Sequence, residues 1–117
     1  KTVEKTYGAN SGEKLLFGYF QELTQSYVKR VKGDTVKEKA IAFSKIRNSE
    51  GYLSSCDIDA NDNIKIIEFH SPYQRIINEY PMVLNMEDQM IGNILNVNVI
   101  RKDERASGLV RYTFELS

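Results

Sequence analysis

The stretch Ile64–Leu95, I-K-I-I-E-F-H-S-P-Y-Q-R-I-I-N-E-Y-P-M-V-L-N-M-E-D-Q-M-I-G-N-I-L, decides how the chain folds. Ile64, Ile66, Ile67 and Phe69 are the β-branched and aromatic residues of a buried strand. Pro72 cannot donate to a sheet ladder but suits the first turn of a helix, with Ser71 as its N-cap. Ile76, Ile77 and Tyr80 then follow at helical spacing, which predicts a helix over 73–80. Pro81 removes a backbone donor and pushes Tyr80 out of helical geometry, so a second helix is expected over 82–95. Val83, Met86, Met90, Ile91 and Ile94 give it an apolar face.

Working back from Ile64, Ala60-Asn61-Asp62-Asn63 is turn chemistry, and Gly51–Asp59 alternates loosely with Tyr52 or Leu53, Cys56 and Ile58 as inward candidates. Together these predict a β-hairpin. Before it, Leu15, Leu16, Tyr19, Phe20, Leu23, Tyr27 and Val31 trace a helical period from an N-cap at Ser11 to about Lys32. Gly33 ends that helix. Asp34 is read as the cap of the next, which Val36, Ala40, Phe43 and Ile46 or Arg47 mark and Asn48–Gly51 stops. Residues 1–10 read as a polar lead-in, and 11–117 as one domain. Working forward, Asn96 closes the last helix, Val97, Val99 and Ile100 begin a third strand, and Arg101–Gly108 reads as a charged hairpin turn with its ends in strand. In Leu109–Leu116, Val110, Tyr112, Phe114 and Leu116 alternate cleanly with their neighbours. The expected fold is α+β in the order α-α-β-β-α-α-β-β, an antiparallel four-stranded sheet with helices packed on one face.

Composition narrows the function. The 117 residues carry 16 Lys/Arg against 16 Asp/Glu, so nothing in the net charge argues for nucleic-acid binding. The tightest basic group, Lys29, Arg30 and Lys32, sits where cations complement a helix C-terminus. Cys56 is the sole cysteine, which excludes a disulfide framework and fits a reducing cytoplasm. No apolar run reaches the ~20 residues that span a bilayer. His70, the sole histidine, stands at a strand end as a structural hydrogen-bonder or as a base or ligand. The Asp57–Asn63 cluster lacks the glycine that an EF-hand needs at its sixth position and reads as a solvated turn. No phosphate-cradling glycine loop follows a strand and no nucleophile elbow occurs. Met82, Met86 and Met90 form a row that either fills the core or lines an adaptable apolar pocket. On these grounds no catalytic residue, metal or cofactor is assigned.

The passage Glu68–Glu87 resembles the C-terminal domain of ArsR-like winged-helix bacterial transcriptional regulators, a family that includes the iron–sulfur-sensing repressor of cluster assembly genes. His70 with Pro72 matches its first motif, Tyr80-Pro81 the second and Glu87 the acidic position that follows. Asn48–Leu53 resembles a further segment, and Asn96–Val99 with Gly108–Phe114 the closing hairpin. Where the iron–sulfur branch carries cysteines this chain has Ser71, Leu84 and Val110, and one cysteine cannot hold a cluster. The resemblance implies an effector-binding and oligomerisation domain, a homodimer whose small-molecule ligand shifts how paired winged helices, expected upstream of Lys1, meet DNA. Candidate effector residues are Tyr19, Phe43, His70, Tyr80, Met86, Met90 and Tyr112. Two alternatives stay open: a stand-alone small-molecule-binding module or minor enzyme resembling vinyl-reductase-type domains, and a purely structural dimerisation domain.

Overall fold

A computed structural model describes the backbone of residues 2–69, 71, 76–77, 79–106 and 109–117, with side chains from residue 12 onward except at 106 and 109. The elements are α1 (Thr2–Arg30), α2 (Val36–Ser49), β1 (Ser54–Ile58), β2 (Ile64–Glu68), α3 (Met82–Leu95), β3 (Val99–Ala106) and β4 (Leu109–Leu116). The class is α+β as expected, with an open antiparallel sheet ordered β1-β2-β4-β3. Three helices, not four, are present among the described residues. Most of the segment expected as a helix over 73–80 lies outside them. What is described there is a turn, in which Glu79 and Tyr80 both donate backbone N–H bonds to the Ile76 carbonyl.

α1 keeps the expected buried row of Phe20, Tyr27 and Val31, with Leu16 and Leu23 packed beside it. It begins at Thr2, well before the Ser11 boundary, and ends at Arg30 with Lys29 and Arg30 in its last turn. The cap of α2 is Thr35 rather than Asp34. Thr35 Oγ1 accepts from the Glu38 N–H at 3.1 Å, while Glu38 Oε1 accepts from the N–H groups of Thr35 and Asp34 at 3.2 and 2.9 Å. Threonine wins because its Glu partner stands three residues on, which completes a capping box. Gly33 is needed in the preceding turn for space, since a Cβ there would stand 2.7 Å from the Cβ of Glu38. At the far end of α3, Asn96 adopts the left-handed conformation (φ 57°, ψ 51°) and the Val97 N–H returns to the Gly92 carbonyl.

The hairpin between β1 and β2 turns as read. Asp59 Oδ1 accepts the backbone N–H groups of Asn61 and Asn63, and its Oδ2 the Asn63 carboxamide. The charged run after Val99 is a correction. Arg101–Ala106 is strand, not turn, and pairs in register along β4 as far as Leu109. Its charges are compatible with an edge strand because they pair across the ladder, Lys102 with Glu115 at 3.1 Å and Glu104 with Arg111 at 2.6 Å.

Register places Cys56, Ile66, Phe114 and Arg101 in one row across the sheet, and Ser54, Glu68, Tyr112 and Asp103 in the next. Ile66, Glu68, Tyr112 and Phe114 from these rows are buried. Ser44 of α2 bonds Ser54, and Asp88 of α3 bonds Arg101. Tyr27 of α1 packs against Phe43 of α2 with ring centroids 5.1 Å apart and the rings tilted by 57°. Among the described residues no helix is long and apolar enough to cross a membrane.

Candidate functional site

The seven candidate effector residues do not converge on one cavity. Tyr19 faces outward from α1 and is 47% exposed. Phe43 is fully buried between Tyr27 and the Arg47 guanidinium. Tyr80 is half-buried beside Gly12, and Tyr112 is buried with the Arg101 guanidinium 6.0 Å from its ring centre. His70 lies outside the described residues. Only Met86 and Met90 share a cleft, which they line with Phe17, Phe20 and Thr24 at the seam of α1 and α3. Its volume of about 70 Å³ holds a couple of waters. Small-molecule sites generally need ~300 Å³ or more. Met90 is 2% exposed, so this end of the methionine row is core.

The interior holds instead a chain of charge. Arg47 is completely buried, and its Nε and Nη2 donate to the two Glu68 oxygens at 2.9 and 2.7 Å. Nη2 also reaches Glu87 at 2.8 Å, and the guanidinium lies 3.6 Å from the centre of the Tyr52 ring. Arg101 continues the chain, donating through Nη2 to Glu87 at 2.5 Å and through Nε to Asp88 at 2.9 Å. Burial alone would lower the Arg47 pKa, but Glu68 and Glu87 outweigh it and hold the group well above its ordinary value. Burial raises the Glu68 carboxyl, against the pull of Arg47 and with the Glu87 charge adding to the rise. Burial likewise raises Asp88, with Arg101 opposing. Arg47 Nη1 is buried and has no hydrogen-bond partner among the described residues.

α2, β2, α3 and β3 are thereby tied through side chains, of which Arg47 is singled out in the sequence only as marking a helix face and Glu87 only as an acidic motif position. A signal was present. Arg47 follows Ala40 and Phe43 on the inward stripe of α2, Glu87 follows Val83 on that of α3, and Glu68 keeps the alternation of Ile64 and Ile66. Charges in phase with an apolar period mark either a buried ion pair or an interrupted face.

A larger groove lies elsewhere. Where α3 ends and β3 begins, a cavity of about 480 Å³ is lined by Asp88, Gln89, Asn93, Asn96 and Asn98 above Gly92 and Val97. Cys56 is half-buried, and burial followed by the Asp57 charge raises its thiol above the ordinary range, so it stays protonated at neutral pH. No group of three or more metal-ligating side chains is assembled among the described residues. No protein-family model matches the chain, and neither a curated protein nor a solved structure shows significant similarity to it.

Proposed function

We propose that this chain is the oligomerisation and effector-responsive domain of a bacterial transcriptional regulator of the ArsR-like winged-helix type, with DNA contacted by a separate winged-helix unit. The reading is non-catalytic. The observation that carries it is the outer side of α1. Leu15 and Tyr19, one helical turn apart, are 76% and 47% exposed, although Leu16, Phe20 and Tyr27 already pack the inner side. An exposed apolar surface on the side of a helix away from its buried face fits an interface with a further chain.

A second copy of the chain fits that surface. Gly18 has nothing within 4 Å of where its Cβ would stand, so another helix can approach closely there. Lys14 and Glu22 sit symmetrically about Gly18, and an antiparallel copy crossing at that point would set each Lys14 opposite a Glu22. Zero net charge leaves little repulsion between copies. We further read the helices as covering one face of the sheet, because the sheet residues bonded to α2 and α3 (Ser54, Glu68 and Arg101) share one side in register.

The test is sedimentation equilibrium on the chain and on a Leu15→Glu, Tyr19→Glu double variant. A dimer for the first and a monomer of unchanged circular dichroism for the second is the expected pair of results. A parent chain that stays monomeric at high micromolar concentration would refute the reading.

A further inference from the structure

The groove at the end of α3 is an open, largely polar depression of ligand size. Its volume of about 480 Å³ lies inside the range of small-molecule pockets. Four exposed residues with carboxamide side chains (Gln89, Asn93, Asn96 and Asn98) line it, and a carboxamide carries both a donor and an acceptor. Asp88 adds a carboxylate of which Oδ1 is held by Arg101 Nε. Two backbone features bring these groups together. Gly92 lets the chain reverse tightly, since a Cβ there would stand 2.9 Å from the Val97 carbonyl oxygen. The left-handed turn at Asn96 then carries the backbone from the helix into β3, and the Ser117 N–H bonds the Asn98 carbonyl at 3.0 Å.

The chemistry also says what the groove excludes. No Lys, Arg or His lines it among the described residues, so it offers no countercharge to a phosphate or carboxylate. No aromatic ring lines it either, so a planar base or cofactor has nothing to stack on. The charged side chain in its lining, Asp88, is already offset by Arg101. Neutral groups that donate and accept in close succession are what remains, and adjacent hydroxyls do this best.

We infer that the groove formed by Asp88, Gln89, Asn93, Asn96 and Asn98 binds a neutral polyhydroxylated small molecule, a monosaccharide or related polyol. The inference rests on the reading of the chain as effector-responsive and names the effector's chemical class and its site. The site is connected to the rest of the molecule in two ways. Gln89 and Asn93 also border the α1–α3 cleft, so an occupant touches residues that contact α1. Asp88 joins the buried chain through Arg101 to Glu87 and Arg47.

The experiment is titration of the isotope-labelled chain with D-glucose, D-ribose and glycerol, followed through the side-chain NH2 resonances of Asn93, Asn96, Asn98 and Gln89. Saturable shifts confined to these resonances for at least one probe are expected, with glucose 6-phosphate binding at least about tenfold more weakly than glucose or not at all. Asn93 is exposed, so Asn93→Leu leaves the fold intact while weakening the same titration about tenfold. Shifts spread over the whole surface, shifts unaffected by Asn93→Leu, or none at tens of millimolar would each overturn the assignment. Failure here with an intact dimer leaves the oligomerisation reading standing. Saturable binding by a monomer would keep the groove and remove the dimer.

Discussion

Arg47 occupies a place on α2 where the helical period asks for an aliphatic side chain. Its stem and guanidinium pack among Phe43 and Tyr52, and its charge is met by Glu68 and Glu87. A buried pair of this kind adds little net stability compared with a well-packed apolar substitute, yet breaking it strands a charge. Arg47→Met is therefore expected to cost about 3–5 kcal/mol in urea unfolding. Arg47→Met combined with Glu68→Leu should cost less than the sum of the single changes, because the second removes one of the stranded carboxylates. The pH dependence follows from the same groups. The Glu68 carboxyl is raised above 4.5 and that of Asp88 above 3.8, so each ionises later in the folded chain than in the unfolded one. Their contribution is present below those values and is lost as pH rises through the folded ones. Glu38 and Asp59 are lowered, by the N–H groups of Asp34 and Thr35 and by Asn63 respectively, so their contributions are lost as pH falls. The urea midpoint should thus peak on the acid side of neutrality, and Glu68→Gln should flatten the decline above the peak. A wild-type midpoint that climbs steadily from pH 5 to pH 7 would contradict this sign.

At the scale of elements, ends and turns were more legible than lengths. Gly33, Asn48–Gly51, Ala60–Asn63 and Asn96 punctuate the chain where the sequence predicts, because local backbone chemistry dictates those positions. The α2 cap shifted by one residue, to the threonine whose side chain meets the Glu38 N–H. Thr35→Ala should lower stability by about 1 kcal/mol in chemical denaturation, the usual worth of such a cap. Gly92 is a position where tertiary structure constrains a helix residue. Gly92→Ala sets a methyl against the Val97 carbonyl, and a loss of about 1–3 kcal/mol is expected from that overpacking. The β3 strand departs from the expected turn because a run of five charged residues in six has the composition of a loop. Cross-strand pairing with Glu115 and Arg111 makes it an edge strand.

On the scale of the molecule, the radius of gyration of 15.5 Å exceeds the roughly 13 Å of a compact domain this long. The excess belongs with α1, whose 29 residues extend about 43 Å along its axis. In the proposed dimer, a partner would cover the apolar side chains on the outer face of this helix and stabilise it further. The melting temperature of the chain is accordingly expected to rise with protein concentration, as mass action requires of a dimer, and that of the Leu15→Glu, Tyr19→Glu variant to stay constant. A parent melting temperature independent of concentration over two decades would count against association.

The sequence by itself determined the α+β class, the antiparallel hairpins and most of the core, down to Phe20, Tyr27, Phe43, Ile66, Phe114 and Leu116. Those features follow from periodicity and turn chemistry, which act between near neighbours. Tertiary structure alone decided which charges are buried together and where space is left. Arg47, Glu68, Glu87 and Arg101 come from four different elements, and the nearest of their bonded pairs in sequence, Glu87 and Arg101, are 14 residues apart. Separate readings of each element see a polar residue with an open choice of partner. The methionine row likewise had the composition of a pocket lining, while the packing of α1 on α3 reduced it to a cleft. A larger open groove was left where α3 turns back into β3.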